Sequence, residues 1–121
     1  MTIEDRSNLF QNDAGAESRP AGQPIFRTGD ACDDVMYAVA EGEVDIILEG
    51  ATVETVRPGG FFGEIGLIDK RPRSADAVAR TDVRLVPINA RRFTFLVQQH
   101  PFFALEVMRT MAQRIRRLSA A

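Results

Sequence analysis

Residues 59–78 read GGFFGEIGLIDKRPRSADAV, the most apolar and glycine-rich passage of the chain. Glu64 sits there among Phe61, Phe62, Ile65 and Leu67, where a plain core has no use for a carboxylate. Lys70, Arg71 and Arg73 follow within ten residues. Four glycines, Gly59, Gly60, Gly63 and Gly66, free the backbone for tight turns and close approach to a ligand. A short helical turn starting near Glu64 would aim free N–H groups at an anion. Arg73 offers a planar, always-charged fork that matches phosphate oxygens, and Ser74 adds a hydroxyl. An ionised Glu64 can only accept hydrogen bonds, which suits sugar hydroxyls. Together these residues point to a sugar phosphate or nucleotide. The structural alternative, a buried Glu64–Arg73 pair with no ligand, is costly unless well satisfied. Lys70 and Arg71 read as a solvated loop tip.

Upstream, residues 24–58 read as short strands between turns. IFRTGD ends at Gly29-Asp30, and VMYAVA and VDIIL are separated by Glu41-Gly42. Val44, Ile46 and Leu48 alternate with Glu43, Asp45 and Ile47, the pattern of a strand with one buried face. Glu49-Gly50 turns into TVETV, and Pro58-Gly59-Gly60 stops that strand. Downstream, DVRLVPI alternates again, with Pro87 requiring an edge position or a bulge. Strands of this length with glycine turns predict an antiparallel β-roll of jelly-roll type over about residues 20–88. The preceding AGAESRPAGQP reads as turn-rich, and SNLF (7–10) as the end of a short helix.

After Ile88 the period changes to helical. Asn89 is a candidate N-cap for ARRFTFLVQQH, and Pro101 ends that helix and opens the next. The expected helices cover about 89–99 and 101–118. Ala104, Met108, Met111, Ile115 and Leu118 form an apolar stripe at steps of 4, 3, 4 and 3. That stripe suits packing onto the β-roll or pairing with a second subunit as a homodimer.

The 121 residues predict one domain with a core of its own. Charge is split along the chain. Residues 1–69 carry 14 acids and 4 bases, a net −10, whereas residues 70–121 carry 11 bases and 3 acids, a net +8. Cys32 is the sole cysteine, so no internal disulfide forms, in keeping with a cytoplasmic setting. No run approaches the roughly 18 apolar residues of a membrane span, and MTIEDRSNLF lacks a signal-peptide pattern. Catalysis is not expected. His100 is the one histidine, so multi-histidine metal sites and histidine-based nucleophile activation have too few parts. No Gly-Lys-Ser/Thr phosphate loop occurs. Asp30, Asp33 and Asp34 read as a solvated acidic turn. Arg109, Arg114, Arg116 and Arg117 make the last helix basic, but no second helix pair follows to read DNA, so direct DNA binding is not expected.

FGEIGLIDKRPRSADAV resembles the phosphate-binding cassette of cyclic nucleotide-binding domains. Phe62-Gly63-Glu64-Ile65-Gly66-Leu67 and Arg73-Ser74-Ala75 carry the match, and IFRTGD, MYAVAEGEV and the two terminal helices extend it over roughly residues 9–118. The resemblance implies a cyclic nucleotide sensor, for cAMP or cGMP, with no other cofactor and with an unidentified protein effector. It implies that Arg73 and Ser74 bind the phosphate, helped by Ile65 and Gly66 backbone N–H groups. Glu64 and Gly63 would bind the ribose hydroxyl. The last helix would cap the base through Arg114, Arg117, Leu118 or Ser119. Asp76 departs from the family pattern, and a carboxylate facing the phosphate would oppose binding, so it is expected to face outward. The alternative is a non-enzymatic interaction or dimerisation module with a vestigial pocket.

Overall fold

The computed structural model describes residues 9–119, with side chains through residue 117. Eight strands run β1 (Glu17–Arg19), β2 (Pro24–Phe26), β3 (Val35–Glu41), β4 (Val44–Leu48), β5 (Ala51–Val56), β6 (Phe61–Phe62), β7 (Asp76–Ala79) and β8 (Val83–Asn89). Helix α1 (Ile65–Ile68) lies between β6 and β7; α2 (Ala90–Gln99) and α3 (Pro101–Ser119) close the chain. The strands form two four-stranded antiparallel sheets, ordered β1-β8-β3-β6 and β2-β7-β4-β5. This is the expected β-roll followed by two helices.

The sheets enclose a core of Tyr37, Val39, Val44, Val56, Phe62, Ala77, Ala79, Val83 and Leu85. Alternation explains much of it. Ala77 and Ala79 of β7 point inward and Val78 less so, as a period of two requires. The central β3 departs from alternation: its VMYAVA run is buried from Met36 through Ala40, so both faces are covered. Pro87 sits opposite Tyr37 in the β3–β8 ladder, while β1 flanks β8 only at Val83–Leu85. Beyond that point β8 has no β1 partner, which gives the proline its edge position.

Three expectations need correction. Residues 17–19, read as turn, form β1, so the β-roll starts before residue 20. The strand is short, polar and exposed, so no periodicity marks it; it exists through its ladder with β8. Of SNLF, Leu9 and Phe10 lie in a turn rather than a helix, and residues 7 and 8 fall outside the described residues. The apolar stripe read on α3 does not lie on one face, exposed or buried. Met108 and Ile115 face solvent, but Ala104 and Met111 are half-buried while Leu105 and Ala112 are exposed. The side chain of Leu118 lies outside the described residues.

The chain divides between Asn89 and Ala90 into a β unit and a helical unit. Within the helical unit, α2 ends where Pro101 starts α3, and Phe93 packs on Phe103 with ring centroids 5.6 Å apart.

Candidate functional site

The loop from β6 through α1 to β7 folds around one side chain, Arg73. Its backbone is fixed first. The Arg73 N–H donates to Asp30 O (2.9 Å) and the Gly29 N–H donates to Arg73 O (2.8 Å), tying it to the turn after β2. Its guanidinium is then clamped. Nη2 donates to Asp33 Oδ1 (2.7 Å) and Val35 O (2.7 Å), and Nη1 donates to Gly63 O (3.1 Å). Cζ lies 4.2 Å from the centroid of the Phe26 ring, a cation–π seat. Phe26 leans on Phe62 (5.9 Å), which stacks on Tyr37 (5.4 Å), so the seat is anchored in the core. Burial pushes the Tyr37 phenol above its usual pKa, with the Asp33 charge adding to the effect.

Two glycines make room for this cation. A Cβ on Gly66 would lie 2.7 Å from Arg73 Nη1, inside any real contact distance. A Cβ on Gly63 would lie 3.0 Å from the same atom, and Gly63 also has φ +76°, which L side chains rarely adopt. Arg73 is thus held against bare backbone.

The electrostatics are unusual for a structural ion pair. The Arg73 side chain is 5% exposed, but its Asp33 partner is 56% exposed. Three guanidinium N–H groups are committed to protein acceptors. A guanidinium carries about five, so about two remain for an incoming acceptor. The pair thus joins a desolvated cation to a largely solvated carboxylate.

The other expected residues fall around it. Phe62 is core. Glu64 is buried (4%) immediately after Gly63, at the start of the four-residue α1. The Gly66 amide donates to Gly63 O (3.0 Å), so it is engaged in the turn rather than free for an anion. Ile65 and Ser74 are exposed, and Leu67 and Ala75 are half-buried. Lys70 and Arg71 sit at the tip, 79% and 84% exposed, near Asp34 and Asp69. Asp76 is engaged away from the guanidinium: its Oδ1 accepts from the Thr28 amide (2.7 Å) and hydroxyl (3.0 Å). In the helical unit, Arg114 is half-buried and Arg117 exposed, while the side chains of Leu118 and Ser119 lie outside the described residues.

Sequence reasoning missed two participants. Asp33, read as part of a solvated acidic turn, is the counter-ion of Arg73. Cys32 donates from Sγ to Gly66 O (3.1 Å), pinning α1 to the segment before β3. Both contacts join residues more than thirty positions apart, so no local spacing announces them. A second cleft, beside β1, is lined by Arg19, Arg84, Glu41 and Asp82. Its arginines are already paired, Arg84 with Glu41 (2.8 Å) and Arg19 with Glu17 (3.2 Å).

A β-roll with a buried arginine inside a glycine-walled strand–helix–strand loop is the geometry that a receptor for a small anion would use. The sequence profile of the family described as "Cyclic nucleotide-binding domain" matches residues 16–100, and the chain belongs to that family. It is 33% identical over 102 residues to the Cyclic AMP receptor protein of Thermus thermophilus, covering 80% of this chain and 47% of that protein. It is 37% identical over 79 residues to the cGMP-dependent protein kinase of Toxoplasma gondii, covering 65% of this chain and 8% of the kinase. Its fold superposes on the crystal structure of Thermus thermophilus Catabolite Activator Protein with a TM-score of 0.73 and 30% identity, over 98% of this chain and 56% of that one. The chain therefore spans about half or less of the relatives it matches.

Proposed function

We propose that residues 1–121 act as one regulatory domain that binds a cyclic nucleotide and moves its terminal helices in response. The observation that carries this reading is the buried Arg73 guanidinium, seated on Phe26, walled by Gly63 and Gly66, and balanced only partly by Asp33. In this reading the cyclic phosphate takes up the remaining guanidinium donors, with Ser74 adding its hydroxyl. Gly66 contributes clearance rather than its amide; the amide of Ile65 stays a candidate donor. Glu64, one residue beyond the carbonyl that holds Arg73, accepts from the ribose 2′-hydroxyl. Arg114, Arg117, Leu118 and Ser119 are the candidates to cover the base, and the helices carry the signal to an effector protein. The matched relatives are named for both cAMP and cGMP, so the reading covers both nucleotides.

Calorimetric titration of the wild type and Arg73→Ala with cAMP and with cGMP tests it. One nucleotide should bind in the micromolar range or tighter, and Arg73→Ala should weaken it at least about a hundredfold, near 2.7 kcal/mol. Millimolar binding of both nucleotides by the wild type, or equal binding by the variant, would refute the proposal.

A further inference from the structure

Helix α3 carries a feature that nucleotide binding does not use. Leu105, Met108 and Ile115 are 41%, 56% and 61% exposed, and Pro101 and Ala112 are also exposed. Their steps along the helix are 4, 3, 4 and 3. At 100° per residue they fall within an arc of about 80°, the narrow seam that one helix offers to another. Phe102, 58% exposed, and then Arg109 and Arg116 border it on one side, at the positions that flank a coiled-coil seam. Ala104 and Met111, half-buried, border the other. Residues 90–121 hold six arginines and one acid, Glu106, a net charge of +5 with His100 neutral.

We propose that this seam docks an acidic amphipathic helix of a partner protein. Charge selects that occupant. A second copy of α3 in parallel brings no carboxylate to Arg109 or Arg116, and an antiparallel copy sets Arg109 against Arg116. A neutral lipid surface gives Arg109 and Arg116 no counter-charge, and an anionic one is an outcome of the test below. The helix dipole explains a cation at Arg116 in the last turn but not one at Arg109, two turns earlier. The Arg109–Glu106 pair (3.0 Å) is solvent-exposed and too weak to hold Arg109 from a better partner. Arg114 and Arg117 project roughly 140–160° from the centre of the seam, so docking leaves the candidate base cap free.

The test uses the full chain and two labelled synthetic peptides of about three heptads, both with Leu at the seam positions. One carries Glu at the flanking positions, the other Lys, and like charges keep each monomeric. Fluorescence anisotropy should show the Glu peptide binding at least about tenfold more tightly, with the preference shrinking at high salt. Arg109→Glu/Arg116→Glu should abolish or invert the preference, whereas Arg91→Glu/Arg92→Glu, the same charge change on α2, should leave it; circular dichroism checks that both variants keep their helix content. Equal binding of the two peptides, binding of neither, or equal effects of the two charge reversals overturns the proposal. So does sedimentation showing that the chain dimerises at the assay concentration and excludes the peptide. Binding to phosphatidylserine vesicles without binding to the Glu peptide would likewise assign the seam to a lipid surface instead.

Discussion

Gly66 faces a side chain, not a backbone, and that decides what its substitution does. A methyl group there would lie 2.7 Å from Arg73 Nη1 and 3.1 Å from Cζ, the far end of a flexible chain. The guanidinium has to leave a buried seat held by three hydrogen bonds and the Phe26 ring, so Gly66→Ala should also lower the melting temperature. The displaced fork no longer meets Gly63 O, Val35 O and Asp33 together, and its aim at a phosphate is lost. Cyclic nucleotide affinity should fall about tenfold or more, close to 1.4 kcal/mol, by calorimetry. Gly63→Ala presses on the same Nη1 and adds a backbone term. Its positive φ strains any L residue, so it should also cost about 1–2 kcal/mol of stability in a denaturant titration. Arg73, Glu64 and the glycines were legible in the sequence because the cassette concentrates them in one short stretch. Asp33 was not, because an acidic turn looks the same whether its carboxylate meets water or an arginine forty residues on.

At the scale of elements, the cassette hangs between two anchors. One is the exchange of backbone hydrogen bonds between Gly29-Asp30 and Arg73. The other is Asp76, at the first position of β7, gripping Thr28 just past the end of β2. The Thr28 amide, and then its hydroxyl, hold the Asp76 carboxyl below the usual carboxylate range. The folded pKa therefore lies under the unfolded one. The contribution to stability is full above the unfolded value and disappears as pH falls through the folded value. Wild type should thus melt above Asp76→Ala at neutral pH, and the gap should narrow as pH drops below about 4. A gap that stays constant down to pH 2 would sink this account. The residue that most threatened the anion site in the sequence is a brace for it, and this depended on the β2–β7 pairing, which no local pattern contains.

For the whole molecule, binding and folding are linked. A ligand held only by the folded state stabilises it in proportion to the logarithm of its concentration. At a free cyclic nucleotide concentration about a hundredfold over Kd, unfolding should become harder by about 2.7 kcal/mol, visible as a rise in melting temperature. Removing residues 114–121 should weaken nucleotide binding about tenfold while leaving the β-sheet circular dichroism intact. Unchanged affinity would take the base cap away from α3.

The sequence by itself determined the β-roll, the two helices after it and the residues of the cassette. Each of these rests on short-range physics: alternation over a strand, periodicity over a helix, glycines clustered at one turn. Only the tertiary structure decided that β1 exists, that Arg73 pairs with Asp33, that Asp76 braces β2, and that α3 exposes Leu105 and Ala112 rather than Ala104 and Met111. The reason is common to all four. A three-residue polar strand, a counter-ion and the buried side of a helix are set by partners distant in the chain, and their stability comes from contacts made only once those long loops have closed, against an entropic cost, rather than from any local preference.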